Sequence, residues 1–412
     1  MAETFLRIAL LSMIEPSADG AHATRVARAR LSVGGIAVAR HQLALALALG
    51  VERVVCITAP ADPVLTTLQH AAERVGASFH RISGLHGLLG LVTANDEVIA
   101  LADGLLAWPD VAVDLLGEGH AVLTQPVESG MAMGFERLDI NNASAGAMRV
   151  PGHLVERMAG LPGDCDVFAT LQRVALQAGV PQRPLPDDVL GAPHWLLVRS
   201  DAEAHGIEPG WIAAHTALPR HAGPSAMLAG LGVRWLGPAL LHAGTHGTVV
   251  AAAALVMSLL ALMLGWFGYP VLGLGAAALA WVWFCSAALF GRVERNALRL
   301  PRPRVAPVAS YAWIMDVTLL LLLTWNPQGN AGMAGLWHRA FSPLMLLGLM
   351  RLVPQIVGGG WSPWLRDRAV LALLLTGAAM AGVLGGAVSL IALGLLVCAI
   401  VCIDRPAGPP QD

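Results

Sequence analysis

The chain has 412 residues, 56% of them hydrophobic and only 13% charged, with a formal net charge of −2 and a mean hydropathy of +0.62. Soluble domains carry about 25% charged residues, so a single soluble globule, a disordered chain and a nucleic-acid-coating protein are excluded. All 26 basic residues are arginine; without lysine, a Walker-type phosphate loop, a Schiff-base mechanism and a lysine base are excluded too. Cys56, Cys165, Cys285, Cys398 and Cys402 show no CxxC spacing, and three lie in apolar runs, so no disulfide framework is expected.

Charge divides the chain. Residues 1–247 carry 23 acidic residues and 16 arginines, residues 248–412 carry 5 and 10. In chain order, 5–11 reads as a buried strand, too short for a signal-peptide core and followed by acids, so 1–247 is expected in the cytoplasm. The next connection holds Glu15, Asp19-Gly20, Arg25, Arg28 and Arg30, then Gly34-Gly35. An arginine-rich, glycine-bearing loop after a first strand can wrap an anionic ligand; the same arginines also suit a solvated face. Helical apolar spacing covers 37–49 and 61–75, with Gly50 and Gly76 at the stops, around a second strand at 53–57. A third strand at 97–102 runs straight into Asp103-Gly104, and a weaker fourth lies at 121–124. Alternation of this kind predicts a parallel sheet with crossover helices, whose ligands bind beyond the carboxyl ends of the strands. Asp103 there suits either a Mg²⁺ ligand or a turn cap.

Residues 218–246, rich in Gly, Pro and Ala around Arg234-Trp235, read as a linker with an interfacial helix, or as an extension of the first span. From 248 to 291 there is no charged residue for 44 positions, divided by Gly268-Tyr269-Pro270; about 20 residues cross a bilayer. Spans are expected at about 249–268, 271–291, 306–325, 338–357, 369–385 and 387–403, the last two joined by a tight turn near Gly385-Gly386. The arginines at 292, 295, 299, 302, 304, 351, 366, 368 and 405 then share one side. This predicts six helices with both termini cytoplasmic, in the cell inner membrane. Asp316 falls mid-helix in the third span, where an acid is costly and faces protein or water. With Arg351 of the fourth span it forms either a polar substrate pocket or a structural ion pair. Ala378, Gly382 and Gly386 read as a small-residue packing seam.

Val33-Gly34-Gly35-Ile36 with Arg40-His41-Gln42-Leu43, the run 47–54, and Asp96-Glu97-Val98 through Ala102-Asp103-Gly104 together resemble the sugar-nucleotidyltransferase fold, a Rossmann-like relative of GT-A glycosyltransferases. Such a head followed by six spans is similar to the bifunctional inositol-phosphate cytidylyltransferase and CDP-alcohol phosphatidyltransferase enzymes. The resemblance implies an α/β nucleotidyltransferase-type domain at 1–217, the linker at 218–246, an all-α membrane domain at 247–405 and a tail at 406–412. It implies that Arg25, Arg28, Gly34, Gly35, Asp103 and Gly104 receive a nucleotide or phosphosugar, with Mg²⁺ on Asp103 and Asp201. The implied role is a transferase of phospholipid or polyprenyl-lipid head-group metabolism, acting on membrane lipid. The CDP-alcohol pattern (DG, two residues, AR, eight residues, G, three residues, D, three residues, D) is absent from the membrane half. This opens the alternative of a non-catalytic scaffold or subunit for a partner enzyme, or of a homodimer.

Overall fold

The computed structural model describes residues 5–13, 27–58, 63–162, 165–190, 194–216, 222–242, 247–297, 306–325, 333–357 and 362–403. Contacts divide the chain into two units, Met1–Ile212 with Arg295–Leu300 and Ala213–Glu294 with Pro301–Asp412.

The first unit opens with β1 (Arg7–Met13), then a short hairpin of β2 (Ser32–Val33) and β3 (Ile36–Ala37), and α1 (Val38–Ala48). There follow β4 (Arg53–Thr58), α2 (Pro63–Glu73), β5 (Ser78–Ile82), α3 (Leu85–Leu89), β6 (Glu97–Leu101), β7 (Leu105–Ala107) and α4 (Pro109–Leu116). The unit continues through β8 (Ala121–Pro126), α5 (Val127–Ala132), β9 (Asn142–Pro151), α6 (His153–Glu156), α7 (Val167–Gln177), β10 (Gln182–Pro184), β11 (Trp195–Leu197) and most of α8 (Asp201–His215), within which the division at Ile212 falls. Seven strands form one sheet in the order β10-β8-β9-β6-β1-β4-β5. β6, β1, β4 and β5 run parallel, as does β10 beside β8, whereas β9 is antiparallel to both its neighbours. The sheet is therefore mixed rather than wholly parallel.

The runs 8–11 of β1, 54–57 of β4 and 98–101 of β6 are apolar without interruption because both faces of the sheet are covered. On one face Ala9, Leu11, Val54, Cys56, Ile99 and Leu101 pack with residues of α1, α2 and α4. On the other, Ile8, Leu10, Val55, Ile57 and Val98 pack with residues of α3, α6 and α7. Gly50 and Gly76 end α1 and α2 with φ of 75° and 85°, the left-handed conformation that closes a helix at little cost only for glycine.

The second unit is helical: α9 (Pro224–His242), α10 (Gly247–Trp266), α11 (Pro270–Ala297), α12 (Pro307–Thr324), α13 (Met333–Val357), α14 (Ser362–Leu365), α15 (Arg368–Met380) and α16 (Leu384–Ile403). Five of these, in α10, α11, α12, α13 and α16, are long and apolar enough to cross a membrane. The expected span at 369–385 is α15, whose 13 residues make it shorter than the other five. Its end also differs from expectation: Gly382, with φ of 71°, makes the turn, and α16 starts at Leu384. Gly385 and Gly386 thus lie inside a helix, and Gly382 is a turn residue rather than part of a packing seam. α10 and α16 leave most of their apolar surface exposed, as suits lipid contact. The interior is aromatic, with Phe284 stacked on Tyr311 at 3.8 Å. The Tyr311 hydroxyl lies 2.6 Å from Ser258 Oγ and donates to the Ala254 carbonyl at 3.0 Å, so this buried polar group is satisfied within the bundle.

Candidate functional site

The carboxyl ends of β1 and β6 lie side by side, since the two strands pair in parallel. Asp103 stands just beyond β6. Its Oδ1 accepts the Ala29 amide hydrogen at 2.8 Å and its Oδ2 that of Arg28 at 3.3 Å. The carboxylate thereby caps the single 3-10 turn Arg28–Arg30, which has no cap of its own. Burial pushes the Asp103 carboxyl up to about 6, against the pull of the Ala29 amide and the Arg28 charge, and the neighbouring Asp166 adds to the rise. Gly104 has φ of 82°, and a Cβ there would meet the Val198 carbonyl at 2.5 Å and Arg28 Cβ at 2.9 Å. Only glycine fits where the chain turns beneath Arg28. Arg28 and Asp103 open on a crevice of about 100 Å³, whose walls also include Glu136, Ser144, Asp166 and Gln172, with Gly104 behind them. Asp166 Oδ1 caps α7 by accepting the Ala169 amide hydrogen at 3.0 Å. Gln172 Nε2 donates to Ser144 Oγ at 2.8 Å, fixing the wall between α7 and β9.

The structure brings Arg28, Asp103 and Gly104 together and sets other candidates apart. Gly34 and Gly35 (φ of 64° and 70°) form the two-residue turn of the β2–β3 hairpin, the pattern of a type I′ turn. Gly34 is covered by Trp211, and its amide donates to Glu208 Oε1 at 3.0 Å; neither glycine lines the crevice. Asp201 begins α8 with an exposed side chain 3.6 Å from His205 Nδ1, and it too is absent from the crevice walls. Arg25 lies outside the described residues. Among the described residues no three His, Cys, Asp or Glu side chains are grouped to hold a metal ion. Asp166 and Glu136 enter the crevice from the start of α7 and the α5–β9 connection; in the sequence Asp166 is the second acid of Asp164-Cys165-Asp166, which fits the letters of a DxD metal motif, whereas Glu136 shows only acidity near a glycine.

In the helical unit Asp316, on α12, is shared by two arginines. Its Oδ2 accepts Arg351 Nε at 2.7 Å and Arg368 Nη2 at 3.2 Å, and its Oδ1 accepts Arg368 Nε at 3.0 Å. The Arg351 guanidinium lies 3.3 Å over the Trp313 ring and that of Arg368 5.4 Å from the Trp281 ring, contacts that add cation–π attraction. Arg368 occupies the first turn of α15, the end where a cation is disfavoured by the helix dipole. That oddity was the one sequence signal that it has an acidic partner. Both arginines line a cavity of about 740 Å³ in this unit, together with Arg366 and Asp367.

Solved structures to which the chain is similar include a Bacillus anthracis protein assigned as a glucose-1-phosphate thymidylyltransferase, in complex with sucrose. The identity is 12%, covering 50% of this chain and 94% of that one, with a TM-score of 0.37. UDP-glucose pyrophosphorylase from Acinetobacter baumannii is 10% identical over 51% of this chain and 95% of that one, with a TM-score of 0.38. No protein-family model and no curated protein sequence matches the chain.

Proposed function

We propose that this chain is a multi-pass inner-membrane protein of phospholipid or polyprenyl-lipid head-group metabolism, with both termini cytoplasmic. Its α/β unit binds the phosphate end of a nucleotide or phosphorylated polyol. The observation that carries the reading is the meeting of Arg28 and Asp103 in a crevice at the ends of two adjacent parallel strands, the position where open α/β sheets bind ligands. About 100 Å³ suits a phosphate-sized group, well below the roughly 300–1,000 Å³ of whole small-molecule pockets. Arg28 supplies a planar donor matched to phosphate oxygens. Mg²⁺ would have Asp103 and Asp166 as protein carboxylates, and such sites take most remaining ligands from water and substrate phosphates.

A second reading has its own observation. Both Asp103 oxygens already accept backbone hydrogens, which favours a structural carboxylate in a scaffold or subunit for a partner phosphotransferase. Calorimetric titration of the purified full-length protein in detergent with CTP and a CDP-alcohol, with and without Mg²⁺, separates the two. The enzyme-like reading expects Mg²⁺-dependent binding weakened tenfold or more by Asp103→Ala and by Arg28→Gln. The second variant keeps the capping carboxylate and so guards against simple misfolding. Absence of binding, or binding indifferent to both changes, rejects that reading in favour of the scaffold.

A further inference from the structure

We infer that the cavity of the helical unit binds the phosphate or pyrophosphate head of an amphiphile. This deepens the lipid part of the proposed function and does not depend on the Arg28–Asp103 crevice. Three observations converge. First, the cavity holds a surplus of positive charge. Arg351, Arg366 and Arg368 line it, against Asp367 on the wall and Asp316 behind it. Asp316 is shared between two of the arginines. Asp367 is committed to amide hydrogens of Ser225 at 2.7 Å, Ala369 at 3.0 Å and Val370 at 3.4 Å. No described carboxylate pairs with the Arg366 side chain, which is exposed on the cavity wall.

Second, three helices begin at this cavity. Ser225 and Ala226 belong to the first turn of α9, Val308 and Ala309 to that of α12, and Arg368 opens α15. The first turn of α12 receives no side-chain cap. Asp367 already caps the starts of α9 and α15, so the uncapped start of α12 is the one that offers amide hydrogens and a positive dipole end to an anion. Arg366, exposed and outside the Asp316 cluster, adds a forked donor to it.

Third, apart from Ser225 and Gln355 the remaining wall is mostly apolar. Trp281, Trp313, Met350 and Val308 share the cavity with the arginines, and Trp313 and Met350 sit on α12 and α13, which carry two of the five apolar spans. A small inorganic anion would leave that surface unused, whereas a lipid tail would cover it. The volume of about 740 Å³ falls in the range of pockets that enclose a ligand of some hundreds of daltons.

The test is native mass spectrometry of the full-length protein in detergent, titrated separately with phosphatidic acid, phosphatidylcholine and inorganic pyrophosphate. The inference expects phosphatidic acid to bind, pyrophosphate to compete with it, and phosphatidylcholine to bind at least tenfold more weakly. Arg366→Gln should weaken phosphatidic acid and pyrophosphate binding tenfold or more; lying outside the Asp316 cluster, it should fold normally. Arg28→Gln should leave both unchanged. Pyrophosphate binding without phosphatidic acid binding, still lost in Arg366→Gln, keeps the phosphate site but assigns it a soluble ligand and overturns the amphiphile. Binding unaffected by Arg366→Gln, or abolished only by Arg28→Gln, overturns the cavity as the site. Loss of CTP binding at the α/β crevice with lipid binding intact would instead sink only the crevice reading.

Discussion

Replacing Asp316 by alanine should destabilise the helical unit more than any other single truncation of a polar group there. The carboxylate receives bonds of 2.7, 3.0 and 3.2 Å from two guanidiniums, and both it and Arg368 are 7% exposed. Hydrogen bonds to charged groups are each worth roughly 1.5–3 kcal/mol, but they share one carboxylate and do not add. The governing cost is the buried Arg368 cation left without a counter-charge, with the partly exposed Arg351 adding less, and breaking such a buried pair costs about 3–5 kcal/mol. At roughly 2–4 °C per kcal/mol for a unit of this size, the thermal midpoint in detergent should fall by about 6–20 °C. Asp316→Leu combined with Arg368→Met should recover most of the loss, because it removes charge from both sides. A midpoint within 2 °C of the parent for Asp316→Ala would refute the reasoning. So would a double variant no better than the single one, since the penalty would then not arise from unpaired charge.

Two further outcomes follow from the α/β unit. Gly34→Ala should cost about 2–4 kcal/mol, from roughly 1 kcal/mol for a left-handed alanine and about 1–3 kcal/mol of overpacking. The reason is that the new Cβ would meet Trp211; chemical denaturation followed by tryptophan fluorescence checks this, and an unchanged midpoint would contradict the hairpin geometry. Asp103, held up at about 6 by burial, favours its protonated form in the folded chain. Its contribution of about 1–3 kcal/mol is therefore full below the ordinary carboxylate range and lost as pH rises through about 6. Hydrogen-exchange protection of the Ala29 amide, corrected for intrinsic rate, should fall between pH 4 and 7.5 in the parent and stay level in Asp103→Asn; parallel curves would show that Asp103 does not titrate there.

The legible parts of the fold were those where burial on both faces writes itself into the sequence. β1, β4 and β6 each hold an unbroken apolar run, and each sits in the centre of the sheet. β9 escaped notice because its sequence NASAGAMRVP is built of small residues with little branching; it is a strand because β6 and β8 flank it, a tertiary cause that no local pattern reports. At the crevice, Asp103-Gly104 could be found from its place after a strand, whereas Asp166 comes from a helix 63 positions later. Asp201 matched a spacing but lies on an exposed helix start, since β11 is only three residues long and ends before it. In the helical unit Arg368 read as one more arginine marking a side of the membrane. Its burial against Asp316 needed α15 to be packed beside α12 before it could be seen.

The brevity of α15 has a consequence for the surrounding lipid. Its 13 residues rise about 20 Å, short of the roughly 30 Å of hydrocarbon in a typical bilayer. With the Gly382 turn set at one boundary of such a bilayer, the Arg368 end would stop about 10 Å short of the other. Mismatch of this kind is relieved by local thinning or by a dip of water toward the charged end. Acyl-chain length thus becomes a dial on this protein: thin membranes should fit the short helix, and thick ones should strain it.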